Sequence, residues 1–242
     1  MNLLIKLLLA HIIGDFILQP KKWVKDKEKH KLKSRYLYLH IAIHLILLFL
    51  ITWDLTLWLL LLSIAFSHGI IDALKLSFQK KKNKRKWFFM DQLLHITVIV
   101  VGFIIVKPEI LKSSLLTEVI GSSSLLILTC LIFLTQPVSI IMQVIFSKWD
   151  IPKLTKGNES LQDAGKYIGI LERLLVFVFI ITDHWEAVGF LITAKSVFRF
   201  GDLKESKERK LTEYILIGTL ISFGIAILIG LFFKFMLPFV LS

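Results

Sequence analysis

The chain has 242 residues, 55% of them hydrophobic, with 30 Lys and Arg against 18 Asp and Glu and a net charge of +12. Long apolar runs alternate with short lysine-dense connections, which excludes an ordinary soluble domain with scattered surface charge. Period-two alternation is absent, which argues against a transmembrane barrel. A bilayer core needs about 20 apolar residues per helical crossing, and backbone groups in lipid must be satisfied within each segment. The expected fold is therefore all-α, a polytopic transmembrane helix bundle.

Eight hydrophobic segments are expected: Leu3–Gln19, Tyr36–Trp53, Leu55–Leu74, Phe88–Val106, Ser123–Phe146, Gly165–Thr182, Trp185–Phe200 and Thr212–Leu237. The first lacks a basic start and a small-residue cleavage site, and it carries His11 and Asp15, so it reads as a span rather than a signal peptide. Pro137, beside Gln136, should kink the fifth. The single cysteine, Cys130, lies in an apolar run and reads as a small hydrophobe. Residues 1–106 read as one four-helix unit, 107–122 as an extracytoplasmic connection, and 123–242 as a second membrane helical unit.

Basic residues set the expected orientation. Lys21–Arg35 holds eight, Lys75–Lys86 seven, Ser147–Lys166 four and Arg199–Lys210 five. These connections fall on one side of an eight-crossing chain, which the positive-inside rule makes cytosolic. The expectation is a bacterial inner-membrane protein with both termini outside the cytosol. The same lysines should attract anionic lipid headgroups. No nucleic-acid fold is legible, so nucleic acid is not an expected partner.

The first four segments each carry one pair of ionisable residues four apart: His11 and Asp15, His40 and His44, His68 and Asp72, Asp91 and His95. Residues i and i+4 share a helix face, so each helix offers two potential metal ligands on one stripe. Counted from the basic loops, Asp15, His40, Asp72 and Asp91 lie roughly 5–9 Å deep, and His11, His44, His68 and His95 roughly 10–15 Å deep, at 1.5 Å per residue. The pattern also repeats: His11 and His68 are 57 residues apart, His40 and Asp91 51 apart. That is a tandem hairpin repeat with a pseudo-twofold axis along the membrane normal, passing through the cluster.

An ionisable group inside a bilayer costs about 2.5–3.5 kcal/mol on insertion scales, so eight of them need compensation. One or two divalent metal ions would supply it. Zn suits the imidazole and carboxylate set first, with Mn or Fe as alternatives. The expected activity is a metal-dependent hydrolase opening to the cytosol, with a phosphate-bearing lipid as the candidate substrate and Asp15 or Asp91 as general base. Arg173, Lys195 and Arg199 in the second unit could hold a phosphate, or could instead pair with neighbours or snorkel to the interface. A divalent-metal or proton-coupled transporter is the rival reading, and a lipid-binding or assembly subunit with polar packing glue is the third.

The motifs AHIIGDFILQP, LHIAIH, SHGIIDALK and MDQLLH, in this order over about residues 1–106, resemble the bacterial membrane family catalogued as domain of unknown function 3307. GKYIGILER and LITAKSVFRF are similar to a second part of its longer members. The resemblance implies grouping and no reaction. In style, His- and Asp-bearing helices of this kind also look like membrane-bound metal-dependent hydrolases, which is analogy alone.

Overall fold

The computed structural model describes residues 3–107, 123–147, 164–197 and 206–237, with the side chains of 206–212 excepted. The elements in these stretches are helical: α1 (Leu3–Ile12), α2 (Lys21–His30), α3 (Arg35–Thr52), α4 (Trp58–Phe78), α5 (Lys84–Val106), α6 (Ser123–Leu134), α7 (Gln136–Phe146), α8 (Ala164–Ile181), α9 (Trp185–Val197) and α10 (Ser206–Met236). The chain divides into two compact units that meet in sequence between Thr129 and Cys130, within α6. Most of the expected connection 107–122, and most of the linker after α7, lie outside the described residues.

Among the described residues, five stretches are long and apolar enough to cross a membrane: Arg35–Thr52, Leu55–Phe78, Lys84–Val106, Ser123–Phe146 and Glu213–Met236. These are the second, third, fourth, fifth and eighth expected segments. The first reaches that standard only together with its continuation, Lys21–Lys33, from which it is bent by 82°. The sixth falls short of it, because Lys166, Glu172 and Arg173 interrupt α8. The last residues of the expected seventh, 198–200, lie outside the described residues.

In the N-terminal unit α1 packs on α3 and α5, α3 on α4, and α4 on α5, which closes a four-helix ring. The ring order sets α1 opposite α4 and α3 opposite α5. Those are the helices that the sequence repeat relates, so the closure is the one a twofold axis through the bundle requires. One end of the axis is filled by Leu7, Leu48, Leu61, Ile64, Ile99 and Phe103, all buried. The outer flanks carry Ile46, Leu50, Phe66, Leu93 and Ile105 exposed, as a lipid-facing surface demands. At the apolar end Lys6 turns its ammonium onto the Thr52 carbonyl at 2.7 Å, where α3 stops with Trp53 in the left-handed region.

The lysine-rich stretch after Pro20 is not an open loop. Pro20 ends the first span in extended backbone, and Lys21–His30 then forms the amphipathic helix α2. It packs on α3, with Trp23 stacked on Tyr36 at 5.3 Å, and Ser34 donates to Asp26 at 2.5 Å. A single buried side chain, Lys27, points from it into the bundle.

In the C-terminal unit the helix through Ser123–Phe146 breaks at Thr135, two residues before Pro137. A proline lacks the N–H that continues the ladder, so the helix is interrupted here, although the Thr135 carbonyl keeps the Ser139 amide at 3.2 Å. Arg173 adds donors at the break. Its Nε donates to the Leu134 carbonyl at 2.7 Å, and its Nη2 to the Thr135 carbonyl at 3.2 Å and Ser139 Oγ at 2.8 Å. Nη1 donates to Ser222 Oγ on α10 at 3.2 Å. We expect Arg173→Met to lower stability by about 3 kcal/mol, because buried carbonyls lose the donors it adds. Thermal unfolding in detergent checks this, and Arg173→Lys should recover only part of the loss.

Candidate metal centre

The site begins with a defect in α1. After Ile12 the ladder widens, and the Leu18 amide reaches back five residues to the Ile13 carbonyl at 2.9 Å. Such a π-type turn re-aims side chains, and it turns Asp15 toward α3. Gly14 lies in the same turn and is buried against the His44 ring. A Cβ there would stand 2.4 Å from His44 Nε2, so only glycine lets the imidazole lie over the backbone.

Asp15 is the hub. Its Oδ1 lies 3.0 Å from His44 Nε2, 3.1 Å from His40 Nε2 and 3.5 Å from His68 Nε2. Its Oδ2 accepts from the Gln92 amide at 2.7 Å and lies 3.9 Å from His11 Nε2. The Gln92 carbonyl faces His11 Nε2 at 3.3 Å. The imidazoles gather around this centre, with His44 and His68 stacked at 3.8 Å and His68 and His95 at 3.9 Å. His11 lies 5.2 Å from His95 by ring centroids, and His40 4.5 Å from His44.

The other two aspartates form the layer nearer α2. Lys27 donates to Asp72 Oδ2 at 2.8 Å, and Lys75 to Asp91 Oδ2 at 2.6 Å. Both carboxylates are buried. His95 Nε2 lies between them, 3.4 Å from Asp91 Oδ1 and 3.8 Å from Asp72 Oδ1. Asp91 Oδ1 and both ring nitrogens of His95 are sealed from solvent with no hydrogen-bond partner. Buried polar atoms are seldom left without hydrogen bonds; here Asp91 Oδ1 and His95 Nε2 face each other at 3.4 Å as an ion-pair contact, and His95 Nδ1 has no such neighbour.

All eight residues expected as ligands from sequence converge here. Three overlapping groups have ligand atoms within 4.8 Å of one another: His11, Asp15, His44 and His68; His40, His68 and Asp72; Asp15, Asp91 and His95. Donors held about 2.0–2.1 Å from a tetrahedral metal sit roughly 3.3 Å from each other. The separations around Asp15 Oδ1, and the 3.1 Å between His40 Nε2 and His68 Nε2, fall close to that spacing.

Arg173 and Lys195 belong to the C-terminal unit. The Arg173 donors are directed to the helix break, and Lys195 pairs with Glu172 at 2.6 Å. Arg199 lies outside the described residues. Four residues that sequence reasoning passed over do reach the site: Gln19, Lys27, Lys75 and Gln92. The Gln19 amide lies 2.9 and 3.1 Å from the His40 ring nitrogens. Gln19, Lys75 and Gln92 stand inside the motifs quoted above, which was the available signal. Lys27 has none, being one of eight basic residues in its stretch.

A family model described as protein of unknown function DUF3307 matches residues 3–124. The chain belongs to this family. The matched stretch contains α1 through α5, and with them every residue of the cluster. No curated protein and no solved structure matches the chain.

Within the DUF3307 bundle the Gly14 contact generates a paired expectation. Gly14→Ala should destabilise the bundle by about 1–3 kcal/mol, because the ring it displaces is tied to Asp15. At Gly102 a Cβ would meet only the Leu60 side-chain tip at 2.8 Å, which can rotate away. Gly102→Ala should therefore be milder, and unfolding midpoints of the two variants in detergent compare them.

Proposed function

We propose that the DUF3307 bundle is a membrane-embedded, metal-dependent hydrolase whose site opens on the side covered by α2. The observation that carries this is the sealed trio of Asp91 Oδ1 and the two His95 nitrogens, without hydrogen bonds beside converging imidazoles and carboxylates. A bound cation with its water removes that penalty.

Charge supports the same reading. Asp15, Asp72 and Asp91 face Lys27 and Lys75, so with neutral imidazoles the cluster is one positive charge short. A divalent ion overshoots that deficit by one unit, the balance that favours ionising a water at the ion. The donors are nitrogen and oxygen only, which fits Zn and also Mn or Fe. His11, His44 and His68 with Asp15 are the ligand set of choice, and His40 with Asp72 is suited to a second ion or to orienting the first. Both Asp15 oxygens accept hydrogen bonds, whereas Asp91 Oδ1 accepts none and faces His95 Nε2 at 3.4 Å, so Asp91 is the better general base of the two.

The apolar packing beyond His11 and His44 supports an enzyme over a transporter. Leu7, Leu48, Ile64 and Ile99 close the bundle there, and a through-path would need polar lining. The basic stretches around Lys27 and Lys75–Lys86 support a site facing the cytosol of a bacterial inner membrane, with α2 against anionic headgroups.

Elemental analysis of purified protein should find one or two equivalents of transition metal in the wild type. His68→Ala should retain the fold and lose metal. Asp91→Asn should retain metal and lose hydrolysis of phosphate esters by about 10²–10⁴-fold. A folded wild type without metal, after exposure to Zn, Mn and Fe, overturns the proposal.

A further inference from the structure

A cavity lies between α2 and α4, on the α2 side of the cluster. Gln19, Lys27, Glu28, Asp72, Lys75 and Gln79 line it. It meets the metal centre through shared side chains, since Asp72 is both a wall of this cavity and a candidate ligand. Two lysines that come from different helices therefore end at one place. Lys27 is buried in a helix whose other lysines are at least partly exposed, and Lys75 is half-buried near the end of a membrane-spanning helix.

Burying an ammonium is unfavourable unless an anion meets it. Asp72 and Asp91 meet these two through Oδ2 alone. The same carboxylates face His95 through Oδ1, so each bridges a lysine and His95, which with Asp15 and Asp91 forms one of the candidate ligand groups. A cation on the Oδ1 side draws carboxylate charge away from the lysines. Their positive charge is then uncompensated, at the mouth of the site, with the Gln19 and Gln79 amides beside them. Two carboxylates also line the cavity: Asp72, which Lys27 already meets, and Glu28, which pairs with Lys84 at 2.5 Å.

We propose that Lys27 and Lys75 form an anion-holding subsite for the phosphate group of the substrate, coupled to metal occupancy through Asp72 and Asp91. This rests on the metal-centre reading and deepens it by naming a phosphate ester as the substrate class. It moves the phosphate-holding role from Arg173, Lys195 and Arg199 to two lysines that touch the cluster. Lys27 reaches the cavity from α2, so the amphipathic helix supplies a side chain to the site as well as covering it. The phosphate could belong to a lipid headgroup or to a water-soluble ester, because both present the same charge and acceptors.

The test is protection of lysine amines from an acylating reagent in the full chain, read residue by residue by mass spectrometry, with bound metal quantified on the same sample. The protein is reconstituted in phosphatidylcholine vesicles with inorganic phosphate, with phosphatidic acid in the bilayer, or with neither. Metal-loaded protein with saturating phosphate should label Lys27 and Lys75 about tenfold more slowly, the ratio expected at ten times Kd. Lys84 serves as an exposed control that should not change. Protection by phosphatidic acid as well assigns a lipid substrate; protection by inorganic phosphate alone assigns a soluble ester. Metal present with no protection by either phosphate source overturns this subsite and leaves the metal centre standing. Metal absent with no protection overturns both. As a second readout, Lys27→Gln should weaken phosphate binding without lowering metal content, and equal binding by that variant overturns the subsite.

Discussion

Three carboxylates stand on the axis of a helix bundle whose flanks face lipid, and the arrangement of the N-terminal unit follows from compensating them. An isolated carboxylate there would cost several kcal/mol even after relaxation, so each must meet a cation or a set of donors. Asp15 is met by His40, His44 and the Gln92 amide, Asp72 by Lys27, and Asp91 by Lys75. The compensation is asymmetric around a symmetric ring. His40 occupies the position that the repeat assigns to Asp91, so one half carries an imidazole where the other carries an acid. That difference gives the centre one face rich in nitrogen donors, around Asp15, and one face rich in charge, around Asp72 and Asp91.

Local irregularities in the fold serve the same end. The widened turn at Ile13–Ile17 brings Asp15 toward α3, and the absent side chain at Gly14 admits the His44 ring. The bend after Pro20 lays α2 across the bundle, so that Lys27 reaches Asp72 over a separation of 45 residues. In the C-terminal unit a comparable defect has a different solution. There Pro137 breaks a span, and Arg173 donates to the carbonyls around the break from a neighbouring helix. In both units a buried cation stands beside a helix irregularity, but among the described residues only the first has buried side-chain atoms without hydrogen bonds beside it.

Sequence alone made the membrane-helical class legible and named the eight residues that cluster, because a period of four on successive apolar helices specifies a shared stripe. Two depth layers were expected, yet Asp15 lies against His44 and His68 of the deeper set. What sequence could not supply was local. A π-type turn adds one residue to a helix without a distinctive pattern, and Gly14 looks like any membrane glycine until the His44 ring is placed against it. Lys27 looked like one more positive-inside lysine, because composition cannot separate a charge that sets topology from one that turns inward. Arg173 was legible as a buried charge, but its partners are backbone carbonyls that a side-chain pattern does not reveal. The segment around α8 was hydrophobic enough to notice, yet too interrupted by Lys166, Glu172 and Arg173 to match the other spans.

The central claim is that this constellation binds a metal rather than merely exchanging protons within itself. X-ray absorption at the metal edge of the reconstituted protein tests that most directly. The account predicts a first shell of nitrogen and oxygen near 2.0–2.1 Å for Zn, with the outer-shell scattering of several imidazoles and no sulfur. The imidazole signal should disappear when His44 and His68 are both replaced. A first shell of oxygen alone, or a spectrum unchanged by those replacements, would contradict it and leave the cluster as a hydrogen-bonded network that holds the helices together.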